Sequence, residues 1–469
     1  MNEVYEVTLL NEVNTAKVLK EALSKGGQFA DIFAEEKAGT TIEIEAQRVE
    51  RLVRGSRSGA GVRVVHNHRT SYSYADLLEE SALADCARAS ASAVNNGENG
   101  SPIKTGPGWS SHHVPLKEPP QKCGVQDKLE IMWKAEKTAR AFDKRIRQVK
   151  VIYSDQLRSI AVANTNGDMK TDAVNYVIFY VVAIAGDETG MQVAHESLGG
   201  TMGMEMFRER DPEEMAITAA RRAIANLEAR PAPGGTMPVV LASEAGGTMI
   251  HEAIGHGLEA DLAEQELSVY SGRVGEQVAS PLITVADDAT LSGKRGTFSI
   301  DDEGSPAQRT VLVEKGVLKG YMYDRRMAMK YGLESTGNGR KESYSHPPIV
   351  RMSNTLIETG ESSPEEILAS VEKGLLVRRM GGGQVNTVNG DFVFEVEEGW
   401  LIENGKASVP VRGATLTGNG PRLLKDIDMV GNDLGFGIGT CGKDGQGVPV
   451  ADAQPTLRIP QIVVGGRIE

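Results

Sequence analysis

The residues best placed to do chemistry together lie in one run, Thr248-Met-Ile-His251-Glu252-Ala-Ile-Gly255-His256, where two histidines bracket a glutamate. Imidazole is a good zinc ligand and a carboxylate beside it can take a proton from water, so the run reads as a metal site with a general base. In the H-E-x-x-H helix of many metallopeptidases the two histidines lie four apart, roughly 40° from each other around an ideal turn. Here they lie five apart, which on an ideal helix would splay them by roughly 140°. The spacing predicts that the helix widens into a π turn or ends between Glu252 and His256, with Gly255 supplying backbone freedom.

A catalytic zinc keeps three protein ligands and an open position for water, so a third ligand is required. The candidates are Glu259, Asp261, His346 and Cys441. The two acids follow the helix closely enough to reach it. Cys441 lies in Leu434-Gly-Phe-Gly-Ile-Gly-Thr-Cys441-Gly-Lys443, where small residues let the backbone approach a site, and a thiolate is a soft, strong zinc donor. A polar, turn-rich stretch from Gly337 to Pro348 contains Arg340, Tyr344 and His346, candidates to line a peptide cleft. Tyr344 or His346 could donate to a tetrahedral oxyanion. His66, His68, His112, His113 and His195 have no ligand-like neighbours and read as structural or exposed.

The elements that must position these groups are legible as patterns. Pro238-Val-Val-Leu-Ala reads as a buried strand leading through Ser243-Glu-Ala-Gly-Gly into the short histidine helix. Upstream, helical spacing from Val13 to about Lys25 precedes strands at 30–34 and 41–45, and 62–65 with 70–74 reads as a hairpin. Residues 95–120 are rich in Gly, Pro, Ser and Asn and predict a long surface excursion. A helix from Lys128 to about Ile146 presents Leu129, Met132, Trp133, Ala139, Phe142 and Ile146 on one face. Strand patterns at 149–152, 159–162 and 176–184, with Asn166-Gly167 as a tight turn, predict an antiparallel meander. Pro212 opens a further helix to about Ala229, and Arg230-Pro-Ala-Pro-Gly-Gly235 then breaks the pattern. The expected organisation is α+β: an N-terminal mixed α/β-sheet domain over 1–230 and a mainly β catalytic domain over 231–469 carrying the metal-site helix. Few helices are expected in the second part, near 248–256, 322–331 and 363–373.

Composition bounds the partners. With 51 Lys and Arg against 64 Asp and Glu, the 469-residue chain carries a formal charge of -13, which disfavours nucleic acid and acidic lipid. The longest apolar run, Val177 to Ala185, is too short to span a bilayer, so no membrane partner is expected. Three cysteines cannot build a disulfide framework, and the acidic N-terminus lacks the basic and apolar regions of a signal peptide. A reducing, cytoplasmic location is expected.

Taken together, His251-Glu-Ala-Ile-Gly-His256-Gly-Leu-Glu-Ala-Asp261, Asp301-Asp-Glu-Gly304, Ser335-Thr-Gly-Asn-Gly-Arg340, Ser343-Tyr-Ser-His346 and Cys441-Gly-Lys-Asp-Gly-Gln446-Gly-Val-Pro-Val450 closely resemble the TldD branch of the TldD/PmbA peptidase family. The resemblance is dense from Pro238 onward and looser before it. It implies a zinc metallopeptidase in which His251, His256 and Cys441 hold the metal and Glu252 is the general base. It also implies short or unfolded peptide substrates in an enclosed site. The assembly it implies is a homodimer, or a heterodimer with a homologous subunit lacking the metal motif. Lys341 stands where Arg is more usual in this motif, which puts a bidentate role there in doubt. Two other readings remain at this stage: a non-catalytic zinc-containing regulatory or partner-binding protein, and a zinc hydrolase of non-peptide amides.

Overall fold

A computed structural model describes residues 7–94, 100–104, 106–188 and 190–467. The acidic start and the opening of the expected surface excursion, at 1–6 and 95–99, lie outside the described residues. The two strands expected at 30–34 and 41–45 are one, Phe29–Glu45, because both neighbours, Arg48–His66 and Ile146–Asn164, pair with it almost from end to end. Likewise 149–152 and 159–162 belong to the single strand Ile146–Asn164. Asn166-Gly167 turns that strand into Met169–Asp187, which pairs with Gly190–Gly200, so the meander is present. These strands, with Arg69–Ala75 and a short segment at Ser110–Ser111, make a seven-stranded sheet.

Side-chain alternation decides what each face of that sheet covers. Ile32 packs with the helices Thr15–Ala22 and Glu80–Ser92, while Ile42 and Ile44 pack with Val125–Phe142 and Pro212–Glu228. The helix Val125–Phe142 buries Met132 and Ala139 as expected, but Phe142 is exposed and Ile146 already belongs to the next strand. Of opposite parity, Phe33 packs with Ile160, Val162, Ile300 and Tyr344, so this face meets the second part of the chain. Ion pairs reinforce the contact: Arg63 joins Asp31 to Glu303, and Arg158 joins Glu35 (2.6 Å) to Asp302 (2.8 Å). The Asp301-Asp-Glu motif therefore ties the two parts together.

The architecture is α+β, and the second part is mainly β. The helices expected near 322–331 and 363–373 are Arg325–Tyr331 and Pro364–Ala369. Strand Lys373–Val385 pairs with Gly235–Leu241 on one side and Asp391–Glu403 on the other. The path from Gly235–Leu241 through Leu457–Gly465 and Thr415–Asn419 to Asp391–Glu403 closes a ring of five strands. A six-stranded sheet lies beside it and ends in the hairpin Gly435–Lys443/Gln446–Gln454. One core fills the space, joining Val239, Leu241, Val377 and Ile459 of the ring to Val448 and Val450 of the hairpin. Among the described residues no helix is long and apolar enough to cross a membrane.

Candidate metal centre

Leu241 ends its strand, and the chain turns through Ser243–Ala245 into Thr248–Ile250 and then the histidine segment. Met249, Ile250, Ile254 and Leu258 face the core, which fixes the rotation of the segment and leaves His251, Glu252 and His256 on the other side. Residues His251–Gly255 form a π turn: the His256 N–H donates to the His251 carbonyl, five residues back. The extra residue absorbs the angular excess of the five-residue spacing, and the two imidazole centroids stand 4.9 Å apart at 90°. Gly255 has ordinary right-handed helical dihedrals (φ -53°), so freedom of conformation is not its role. A Cβ there would lie 2.3 Å from the Met352 sulfur, so an alanine would have to displace that buried side chain, and glycine is favoured by close packing. Gly247 is similar, since its Cβ would meet the Ala453 nitrogen at 2.3 Å, and its N–H bonds the Asp452 carbonyl at 3.1 Å. That approach brings the histidine segment against the hairpin.

From the hairpin, Cys441 meets both histidines. Its Sγ lies 3.1 Å from His251 Nε2 and 3.4 Å from His256 Nε2, and the three donor atoms fall within 4.8 Å of one another. The outer nitrogens are engaged elsewhere: His251 Nδ1 with Asp452 Oδ1 at 2.7 Å and His256 Nδ1 with Glu259 Oε2 at 3.0 Å. Carboxylates on Nδ1 fix each ring's tautomer and turn Nε2 toward the common centre. Lys443 bonds Glu259 (3.1 Å) and Asp261 (2.7 Å), extending the outer layer.

Electrostatics follow from this packing. Burial opposes ionisation of the Cys441 thiol, but hydrogen bonds from the two imidazoles outweigh it and bring the thiol down to about 5. Burial also opposes a charged His256, yet Glu259 and Cys441 raise it to about 9, and Asp452 raises His251 well above its ordinary value. Glu259 is held at about 2 despite its burial, chiefly by Lys443 and His256. Glu252 is half-buried, and burial pushes its carboxyl upward. It lines a cleft of 580 Å³ together with His251, His256, Cys441, Thr248 and Gln384.

Of the four candidate third ligands, then, Cys441 reaches the centre. Glu259 and Asp261 stand one layer out, and His346 is absent from the cluster, its Nδ1 bonding Ser343 Oγ at 2.9 Å. Arg340, Tyr344 and His346, expected to line a peptide cleft, are not among the residues lining this one. Buried Arg340 donates to the Met352 (2.5 Å) and Pro449 (2.7 Å) carbonyls. Tyr344 packs against the N-terminal sheet, its hydroxyl donating to Asp76 at 2.6 Å and accepting from Arg57 at 2.9 Å. Lys341 is buried over the Phe33 ring at 4.0 Å, which accommodates an ammonium without a bidentate partner. His195 pairs with Glu397 at 3.0 Å, consistent with a structural histidine.

The geometry of the centre has counterparts. The sequence matches, in order, PmbA/TldA metallopeptidase domain 1 over 30–94, the central domain over 118–227 and the C-terminal domain over 234–466. A metalloprotease TldD homolog of Haemophilus influenzae is 39% identical over 418 residues, covering 87% of this chain and 86% of its own. The chain belongs to the PmbA/TldD metallopeptidase family, in its TldD branch. A metalloprotease of Methanothermobacter thermautotrophicus is 36% identical, covering 94% and 96% of the two chains. In three dimensions this TldD-branch chain superposes on TldE from Thermococcus kodakarensis with a TM-score of 0.76 at 20% identity, over 96% and 99% of the chains, which establishes a common fold.

Asp452 and Lys443 are the functional neighbours that sequence reasoning did not single out. A signal for Asp452 was present: it is the lone acid in the apolar strand run Val448 to Ala453, and such an acid needs a buried partner.

Proposed function

We propose that this chain is a zinc-dependent peptidase that hydrolyses short or unfolded peptides with little sequence preference, and that residues 231–469 form its catalytic domain. The observation that carries the reading is the convergence of His251 Nε2, His256 Nε2 and Cys441 Sγ on one point, with Glu252 beside them in an open cleft. The donor set fits zinc: two imidazole nitrogens whose opposite nitrogens are held by carboxylates, and a thiol already biased to the thiolate. Among the described residues three donors make up the cluster, the number that leaves a position open for chemistry. When bound, zinc supplies Lewis acidity that polarises a carbonyl and acidifies a water.

The protein's own groups do the remaining work. Glu252 takes the proton of the attacking water and returns it to the leaving amine, and its partial burial raises its proton affinity, which helps it hold that proton between the two steps. Asp452 and Glu259 hold the imidazoles in place throughout. Gln384 and Val385 line both this cleft and a neighbouring groove of 940 Å³, room for an extended chain on one side of the scissile bond. Backbone recognition of such a chain gives affinity with little sequence preference. The chain pairs with a second copy or with a homologous subunit lacking the metal motif, and light scattering of the purified chain distinguishes the two.

Glu252→Gln tests the reading. It should abolish cleavage of an unstructured peptide while leaving metal bound, and hydrolysis at the wild-type rate would refute the assignment of the base.

A further inference from the structure

The strand that delivers Cys441, Gly435-Phe-Gly-Ile-Gly-Thr-Cys-Gly-Lys443, has glycine at four of its nine positions. Glycine-rich strands offer few side chains to pack and are weakly specified in register, and a one-residue slip would carry Cys441 to the opposite face. The Asp444-Gly445 turn fixes the pairing with Gln446–Gln454, and the Lys443 ion pairs hold one end, but the main chain around Cys441 still needs support against the body of the domain.

Three buried arginines provide it. Arg351 donates from Nη2 to the Cys441 carbonyl and from Nη1 to the Gln446 carbonyl at 3.0 Å. Arg340 grips the Pro449 carbonyl at 2.7 Å. Arg295 bonds the Gly439 carbonyl from Nε at 3.0 Å and the Thr440 hydroxyl from Nη2 at 3.4 Å. Their contacts alternate between the two strands of the hairpin, in which Cys441 faces Val448 and Gly439 faces Val450. Arg340 and Arg351 are themselves linked, because Gly339–Arg340 pairs with Ile349–Val350 and Arg351 N–H bonds the Asn338 carbonyl at 2.9 Å.

Their partners set these arginines apart from Arg63 and Arg158 in the interior. Arg63 and Arg158 pair with carboxylates, whereas among the described residues Arg295, Arg340 and Arg351 form no ion pair. Arg351 is 0% exposed, and its Nε, like Nη1 of Arg295, is buried without a hydrogen-bond partner. Arg351 lies close enough to the buried Glu259 to help hold it ionised, but its own donors are spent on main-chain carbonyls, a use that a buried guanidinium must serve to be retained. The nearest use is Cys441 itself, whose carbonyl Arg351 holds while its Sγ faces the two histidines.

We propose that Arg351, supported by Arg340 and Arg295, is a positioning residue for the metal centre: the three guanidiniums anchor the main chain of the glycine-rich hairpin and so hold the Cys441 sulfur against His251 and His256. The inference rests on the reading of His251, His256 and Cys441 as metal ligands. It departs from a role for Arg340 in substrate binding and gives that side chain a different task.

Cobalt loaded into the full-length chain provides the test, because a thiolate-to-cobalt charge-transfer band reports the sulfur ligand while ligand-field bands report the remaining donors. Arg351→Met should bind cobalt about 10- to 100-fold more weakly, the usual cost of losing an outer-layer support. In the loaded protein most of the charge-transfer band should be lost. Arg351→Lys, which can reach only one of the two carbonyls, should fall between it and wild type. Arg295→Met, acting two residues from Cys441, should lose less in the same direction, and it carries the test if Arg351→Met does not fold. A merely structural role would lower the urea midpoint and leave the band of the folded protein unchanged. Wild-type affinity and band intensity in folded Arg351→Lys and Arg295→Met would overturn the proposal. If wild-type protein itself shows no thiolate band, Cys441 is not a ligand, and the parent reading fails with it.

Discussion

Asp452→Asn is the perturbation that most sharply isolates the outer layer of the metal centre. Asp452 Oδ1 lies 2.7 Å from His251 Nδ1, and their side chains are 11% and 6% exposed, so solvent screens the pair weakly. Asparagine preserves volume and can still accept a hydrogen bond, but it removes the charge that makes Nε2 a better donor. A hydrogen bond to a charged group contributes about 1.5–3 kcal/mol. Loss of an outer carboxylate at a metal-bound histidine costs about 10- to 100-fold in affinity, or about 1.4–2.8 kcal/mol. The two figures agree, so zinc affinity should fall by one to two orders of magnitude. Competition against a chromophoric chelator at fixed pH measures it. Asp261→Asn is the control, since Asp261 touches the centre only through Lys443 (2.7 Å), and its effect should be several-fold at most. Equal zinc affinity in folded Asp452→Asn and wild type would refute the reasoning, as would an Asp261→Asn effect as large as that of Asp452→Asn.

Three further outcomes follow from the packing and charge of the fold. Gly255→Ala should destabilise the chain by about 1–3 kcal/mol, because its Cβ would meet the Met352 sulfur at 2.3 Å. Adding Met352→Ala should recover part of that loss in a urea double-mutant cycle, and strict additivity would contradict the clash. Ile254→Ala, at a fully buried core position of the histidine segment, should cost about 2–5 kcal/mol in urea unfolding, and a change below about 1 kcal/mol would contradict its anchoring role. Burial lowers the Lys341 ammonium from 10.5 to about 8, so between those values the folded chain binds fewer protons than the unfolded one. The lysine's contribution to stability therefore rises as pH climbs from about 8 toward 10.5 and is lost as pH falls. Relative to Lys341→Met, wild type should gain in urea midpoint between pH 7 and pH 10, and a constant difference would refute it.

Much of the site was legible because its spacing leaves few geometric options. Histidines five positions apart, at 251 and 256, cannot converge on an ideal helix, and the π turn is the local solution. The glycines around Cys441 signalled a close approach, although the partner of that approach emerged only from three-dimensional pairing. The role given to Gly255 was misjudged because packing against Met352, far along the chain, is invisible to local pattern. Arg340, Tyr344 and His346 looked like cleft residues because they are polar and turn-bound. Arg340 and Tyr344 are instead buried against main-chain carbonyls and the N-terminal sheet, and half-buried His346 bonds neighbouring serines. The long strand Phe29–Glu45 read as two because Ala38-Gly39 interrupts its apolar alternation, while its hydrogen bonds run through both residues on both sides.

The most direct test of the central claim is zinc content measured together with hydrolysis of an unfolded peptide, on wild type, Glu252→Gln and Cys441→Ser, with and without chelator. The account predicts one zinc per chain in wild type and Glu252→Gln, loss of zinc in Cys441→Ser, and chelator-sensitive cleavage by wild type alone. Full zinc occupancy in Cys441→Ser, or cleavage that survives complete removal of the metal, would contradict it.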